Sequence, residues 1–187
     1  TAEDSQPLRS GQRAPRFTVQ DVTGADVDFD PNTLARPAMI ITFRGGWCPY
    51  CNMHLSELHK VVPEIAAMGI DVLFLSGDRP DMLYASLAAD AQSTATDLDY
   101  TIYSDAKAQA AIALGLAFKA PARTVNWLAE NGTDVAGSSL AEVGVMPVPA
   151  VYAVDKSGMI VFDFVEADYK VRLPADELLD IARDIVE

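Results

Sequence analysis

Ala38-Met39-Ile40-Ile41-Thr42-Phe43 runs straight into Arg44-Gly45-Gly46-Trp47-Cys48-Pro49-Tyr50-Cys51, and this junction decides how the rest of the chain reads. A run that is apolar except for Thr42 predicts a strand buried on both faces in a parallel sheet. Beyond the junction, Leu55, Leu58, Val61, Val62, Ile65 and Met68 recur at spacings of three and four, while Asn52, Ser56, Glu57, Lys60 and Glu64 fall elsewhere. That spacing predicts an amphipathic helix from Pro49, kinked at Pro63 and stopped at Gly69. Ile70 to Leu75 gives a second buried strand, and Pro80 opens a helix through Met82, Leu83, Leu87 and neighbouring alanines, completing a βαβ unit.

On the N-terminal side, Phe17 to Gln20 and Val27 to Phe29 flank the polar Asp21 to Asp26 segment with its Gly24, which predicts a short β-hairpin. On the other side, Tyr100 to Tyr103 reads as a strand and Asp105 as the N-cap of an alanine-rich helix running to about Leu114. Ala122 to Glu130 reads as a further helix, and the Gly, Ser and Pro enrichment from Asn131 to Pro149 as a loop. Val151 to Val154 and Met159 to Phe164 bracket the turn Asp155-Lys156-Ser157-Gly158, and Pro174 starts a terminal helix. The order of elements predicts an α/β sandwich with a central mixed β-sheet flanked by helices.

A cysteine in the first turn of a helix leaving a buried strand sits where free backbone N–H groups and the macrodipole favour an anion. Such settings lower a thiol from its ordinary pKa of about 8.5 to roughly 3.5–7.5. Pro49 fixes the helix start and leaves Cys48 at the exposed end, with Cys51 one turn deeper. We therefore assign attack to Cys48 and resolution of the reacted sulfur to Cys51. Two other readings of the pair stand beside this one. A zinc site would need two further ligands, and His54 and His59 give no finger spacing. Two small buried hydrophobes is the third possibility. Arg44 is a candidate positive charge for a thiolate or peroxide oxygen, or a solvated loop residue, and Trp47 a shield over the site or a packing residue. His54 reads as an ordinary boundary histidine.

Half of the 187 residues are hydrophobic and 22% are charged, so the chain can bury a substantial core, and one domain over 1–187 is the default. The net charge of −13 repels polyanions and anionic lipid, so neither nucleic acid nor a membrane is expected as a partner. No apolar run approaches about 18 residues, and Thr1 to Ser10 reads as a flexible tail without the features of a signal peptide. Because the chain begins at Thr1 rather than Met, localisation is left open, the cytoplasm set against export with a cleaved signal.

At Phe43-Arg44-Gly45-Gly46-Trp47-Cys48-Pro49-Tyr50-Cys51-Asn52 the sequence resembles the peroxiredoxin-like branch of the AhpC/TSA family, within the thioredoxin-like superfamily. The resemblance extends to Val148 through Gly158 and Ala167 through Arg172, roughly from Gly11 to the C-terminus. It implies a thioredoxin-like three-layer sandwich with an N-terminal β-hairpin extension and a central insertion. By that likeness Cys48 matches the peroxidatic cysteine, Cys51 the second cysteine of a thioredoxin-type pair, and Pro149 the cis-proline of the fold. Val148 and Pro149 would then lie against the pair, with the backbone of Val148 open to a partner's strand. Two positions depart from the pattern: Gly45 stands where Thr or Ser is usual, and Val148 and Pro149 stand where an arginine is usual, leaving Arg44, Arg123 and Arg172 as substitutes.

The implied activity is reduction of a hydroperoxide by Cys48, closure of a Cys48–Cys51 disulfide, and regeneration by a thioredoxin-type reductant. The alternative is a thiol-disulfide reductase acting on protein or small-molecule disulfides through the same residues, and a non-enzymatic zinc- or partner-binding module is a third. Neither redox reading calls for a cofactor or a metal.

Overall fold

In the computed structural model, which describes residues 1–85 and 101–187, the strand ahead of the cysteine pair is the axis of the molecule. This strand, β3 (Ala38–Phe43), is buried along its whole length. It follows the hairpin β1 (Phe17–Gln20) and β2 (Asp26–Phe29), and precedes β4 (Asp71–Ser76) and β5 (Thr101–Ser104). With β8 (Ala150–Val154) and β9 (Ile160–Val165) these form a mixed seven-stranded sheet in the order β2-β1-β5-β4-β3-β8-β9. β3, β4 and β5 run parallel, with Phe43 opposite Ser76, whereas β8 lies antiparallel to β3 with Ala150 opposite Thr42. That register brings the end of β3 and the start of β8 to one edge, where the Cys48 loop begins.

Successive side chains of β3 leave opposite faces, and the two cores divide accordingly. Met39, Ile41 and Phe43 pack under α1 (Pro49–Leu58), α2 (Val62–Ala67) and the terminal α6 (Ala175–Val186). Ala38 and Ile40 face the other cluster, which includes Ala110 of α3 (Gln109–Ala113), Leu128 of α4 (Ala122–Glu130) and Leu140 of α5 (Ser139–Glu142). Fully buried residues such as Leu58, Ile65 and Phe74 each contribute about 1.5–3 kcal/mol by leaving water. Helices thus cover both faces of an α/β sandwich.

Several expectations need correction. The helix expected from Pro49 to Gly69 is two helices, broken at His59-Lys60-Val61. Pro63 has no N–H for the carbonyl of His59 and its ring crowds that carbonyl, so the chain re-initiates rather than kinks. Asn131 to Pro149 is not a plain loop: it contains α5 and β7 (Val145–Pro147), which pairs with β6 (Ala117–Lys119) in a two-stranded sheet the sequence reading had not found. The helix after Asp105 starts later than expected, with Ala108 in the left-handed region at φ 55, but the Asp105 carboxylate still accepts from Ala110 and Ala111 N–H at 2.9 and 2.8 Å.

The Val148–Pro149 bond is trans, since the described residues contain no cis peptide. Val148 is not open to a partner either: its N–H donates to Leu116 O at 2.8 Å and its carbonyl accepts from Thr42 Oγ1 at 3.1 Å. Thr1–Ser10, read as a tail, lies along the fold, with Leu8 N–H on Leu114 O, Tyr152 Oη on Leu8 O and Ser10 N–H on Asp163. After the 3-10 turn Pro80–Met82, the expected helix through Leu87, and Tyr100 ahead of β5, fall outside the described residues. No helix among the described residues is long and apolar enough to cross a membrane.

Candidate active site

The peptide leaves β3 at Phe43 and must turn within five residues to start α1, and the turn is tied from three sides. Cys48 N–H donates back to Gly45 O at 3.1 Å, closing the loop. Gly46 N–H donates to the buried Asp78 carboxylate at 2.8 Å, and Ser76 Oγ donates to the same oxygen at 3.1 Å, so the end of β4 holds the loop down. Asn52, one turn into α1, donates its amide to Gly46 O at 2.6 Å and Cys48 O at 3.1 Å. Gly77 completes this close approach, because a Cβ there would lie 2.7 Å from both Arg44 O and Ser139 Oγ. Asp78 and Asn52 were missed in the sequence; only their partners in space reveal them.

Cys48 occupies the N-cap of α1 in an extended conformation, and Pro49 is its first helical residue. Both cysteines are free thiols, with relative exposures of 2% for Cys48 and 1% for Cys51. Their environments differ. Cys48 borders a cavity of about 910 Å³ with Arg44, Trp47, Phe118, Trp127 and Tyr169 among its walls, whereas Cys51 does not reach it. On the inner side, Arg172 Nη2–H donates to Cys51 Sγ at 3.4 Å, and Arg172 Nε–H to Tyr169 O at 2.8 Å, which aims the guanidinium.

Burial pushes the Cys51 thiol up, but the hydrogen bond from Cys48, the Arg172 charge and the Arg44 backbone N–H outweigh it and leave Cys51 at about 6. Cys48 is pushed up, because its S–H is held in the hydrogen bond to Cys51, it is buried, and it faces the Cys51 charge. Of the coupled pair, Cys51, on the Arg172 side, is the sulfur whose ionised form the surroundings favour.

Of the three substitute arginines, Arg172 reaches a sulfur. Arg44 stacks its guanidinium 4.0 Å above the Tyr169 ring, with Phe118 5.9 Å away, and faces both cysteines electrostatically. Arg123 lies exposed at the cavity rim. Trp47 and Pro49 line the cavity as well, and Tyr50 meets Tyr169 edge-on at 5.5 Å. Val148 and Pro149 do not line it: Val148 packs into the opposite core, and Pro149 borders a small void beside His54 and Arg172. The missing hydroxyl at Gly45 has a steric reason, since a Cβ there would sit 2.5 Å from Trp47 Nε1 and 2.8 Å from Asp78 Oδ1.

His54 is buried, donates Nε2–H to Leu173 O at 3.0 Å, and is pushed down to about 4 by burial and the Arg172 charge. Among the described residues no group of three or more His, Cys, Asp or Glu side chains is placed to hold a metal ion.

The arrangement is a pair of free thiols with a guanidinium on the inner sulfur and an open cavity beside the outer one. The model of the AhpC/TSA family matches residues 10–162. Among curated proteins, the chain is 20% identical over 170 residues to a thiol-disulfide oxidoreductase ResA of Bacillus cereus, covering 91% of this chain and 78% of that protein. It is 24% identical over 79 residues to ResA of Bacillus thuringiensis (strain Al Hakam), a match spanning 42% of this chain and less than half, 44%, of the relative. Among solved structures, reduced Prx3 of Vibrio vulnificus in complex with H2O2 superimposes with a TM-score of 0.70 at 16% identity, covering 94% of this chain and 99% of that one. Peroxidoxin BcpB of Mycobacterium tuberculosis does so with a TM-score of 0.62 at 17% identity, covering 95% and 98%. With four fifths of its length matched by that family model, the chain belongs to the AhpC/TSA family.

Proposed function

We propose that the protein is a thiol-dependent oxidoreductase that reduces hydroperoxides, with Cys48 as nucleophile and Cys51 as the resolving thiol. The observation that carries the reading is the asymmetry of the pair: Arg172 on Cys51, and the cavity open to Cys48. With the proton on Cys51, Cys48 is the thiolate, on the side where substrate arrives. It attacks the terminal peroxide oxygen, the O–O bond breaks, and the alkoxide takes a proton and leaves as the alcohol. Cys51, returned to thiolate by Arg172, then attacks the Cys48 sulfenic acid and displaces hydroxide, which leaves as water. Two thiols and one hydroperoxide give one disulfide, one alcohol and one water. A thiol reductant restores the pair.

A second reading has its own support. Gly45 brings no hydroxyl to polarise the peroxide, and the curated relatives are thiol-disulfide oxidoreductases. In that reading Cys48 attacks a disulfide and Cys51 resolves the mixed species. Single-turnover mixing of the reduced protein with hydrogen peroxide and with an alkyl hydroperoxide, followed by intact mass, separates the two. Loss of two hydrogens far faster than for free cysteine, abolished in Cys48→Ser and arrested at a sulfenic acid in Cys51→Ser, is the expected result. Reaction no faster than free cysteine's assigns the protein to disulfide exchange.

A further inference from the structure

Reduction of a Cys48–Cys51 disulfide needs a thiolate to reach one of the two sulfurs in line with the S–S bond. Both cysteines are almost wholly covered, and the cavity that reaches the pair opens onto Cys48 alone. Attack therefore falls on Cys48, from within the cavity, with Cys51 as the leaving sulfur against Arg172. The volume of about 910 Å³ lies at the upper end of the ~300–1,000 Å³ range of small-ligand sites. Trp47, Phe118 and Tyr169 are among its walls and offer aromatic surface to a small organic ligand beside the sulfur.

The charges at this site sort by depth. Arg123, Glu3 and Asp168, one basic and two acidic, are all exposed at the rim, where water screens them. Arg44 is half-buried, its cation rests on aromatic faces, no carboxylate pairs with it among the described residues, and its Nε–H is buried without an acceptor. A partly desolvated cation that lines the cavity beside Cys48 and has no carboxylate partner favours an anionic ligand there.

We propose that the reductant of the disulfide is a small organic thiol bearing a carboxylate, which enters the cavity whole, sets its carboxylate on Arg44 and delivers its sulfur to Cys48. This rests on the redox reading of the pair. The ligand thiolate bonds to Cys48 Sγ, the Cys48–Cys51 bond breaks, and Cys51 leaves as a thiolate beside Arg172. A second ligand thiolate attacks the ligand sulfur of the mixed disulfide and releases Cys48. Two ligand thiols become one ligand disulfide, and their two protons and two electrons restore the two protein thiols.

The test reduces the oxidised protein under single-turnover conditions with 3-mercaptopropionate, 2-mercaptoethanol, cysteamine, dithiothreitol and a reduced thioredoxin-type protein, each rate expressed per thiolate. The anionic thiol is expected to exceed the neutral one by about tenfold, the worth of one charge-assisted hydrogen bond, and to saturate with concentration. Arg44→Met removes the excess, and Arg44→Lys, which keeps the charge, retains part of it. In a chain of net charge −13 the long-range field favours the cationic thiol, so cysteamine reacting fastest overturns the proposal, as does faster reduction by the protein dithiol. Failure of dithiothreitol to restore two thiols is a different outcome and overturns the redox reading of the pair.

Discussion

Arg172 comes from the far end of the sequence to the sulfur that does not border the cavity. Its guanidinium favours the anionic form of Cys51, and in the proposed reaction that form governs how easily the pair ionises and how well Cys51 leaves. Arg172→Met is expected to move the thiolate transition, read by ultraviolet absorbance, from about 6 upward by ~1–3 units, and to slow reaction at neutral pH at least tenfold. An unmoved transition would remove Arg172 from the account. Gly45 makes the opposite point, about a group that is missing. Gly45→Ser supplies the hydroxyl usual in the family pattern, but its Cβ collides with Trp47 and Asp78. The expected result is a loss of about 1–3 kcal/mol in urea unfolding with no gain in peroxide rate; a faster enzyme of unchanged stability would contradict the packing described. Cys48, Pro49, Cys51 and Trp47 were legible here because strand, proline and helix lie adjacent in sequence. Asp78, Asn52 and the choice among three arginines were not, since each acts across the fold.

At the scale of elements, the N-terminus of α3 is the most informative. The Asp105 carboxyl accepts two backbone N–H groups, yet burial pushes it up to about 6 against those bonds. A folded-state value above the unfolded 3.8 means that its contribution is complete below about pH 3.8 and lost as pH rises through about 6. His54 in α1 runs the other way: pushed down from 6.5 to about 4, its contribution is complete above 6.5 and lost as pH falls through about 4. The two oppose each other between pH 4 and 6. Asp105→Asn removes one side. Whatever fixed cost follows from losing a second acceptor, the variant is expected to gain on wild type by about 3 kcal/mol between pH 4 and 7, two units at 1.36 kcal/mol each. Urea midpoints at the two pH values check this, and a constant difference would show Asp105 to be ionised throughout. The central strands were read almost to the residue from their apolar runs. The break at Pro63 and the β6–β7 pair were not, because helix re-initiation and a three-residue ladder leave little periodicity.

For the whole molecule, the excess of 27 acidic over 14 basic residues gives a net charge of −13. The ion pairs Arg16–Asp28, Arg36–Asp71, Lys60–Glu57 and Arg183–Glu64 are exposed, where water and salt weaken such pairs. Self-repulsion therefore outweighs local pairing, and shortening the screening length from about 30 to about 8 Å, by raising ionic strength from about 0.01 to about 0.15 M, is expected to raise Tm. A lower Tm in calorimetry would mean that the surface pairs dominate.

By itself the sequence determined the buried parallel strands, the helix that starts at Cys48, the placing of Cys51 one turn into it, and the family, because each is written in contiguous residues with a short physical period. Only the tertiary structure decided which arginine meets which sulfur, that Val148 spends its backbone on its own chain, and that the cavity opens to Cys48 and not Cys51. Those are juxtapositions of residues up to 121 positions apart, and a one-dimensional pattern carries no record of such distances.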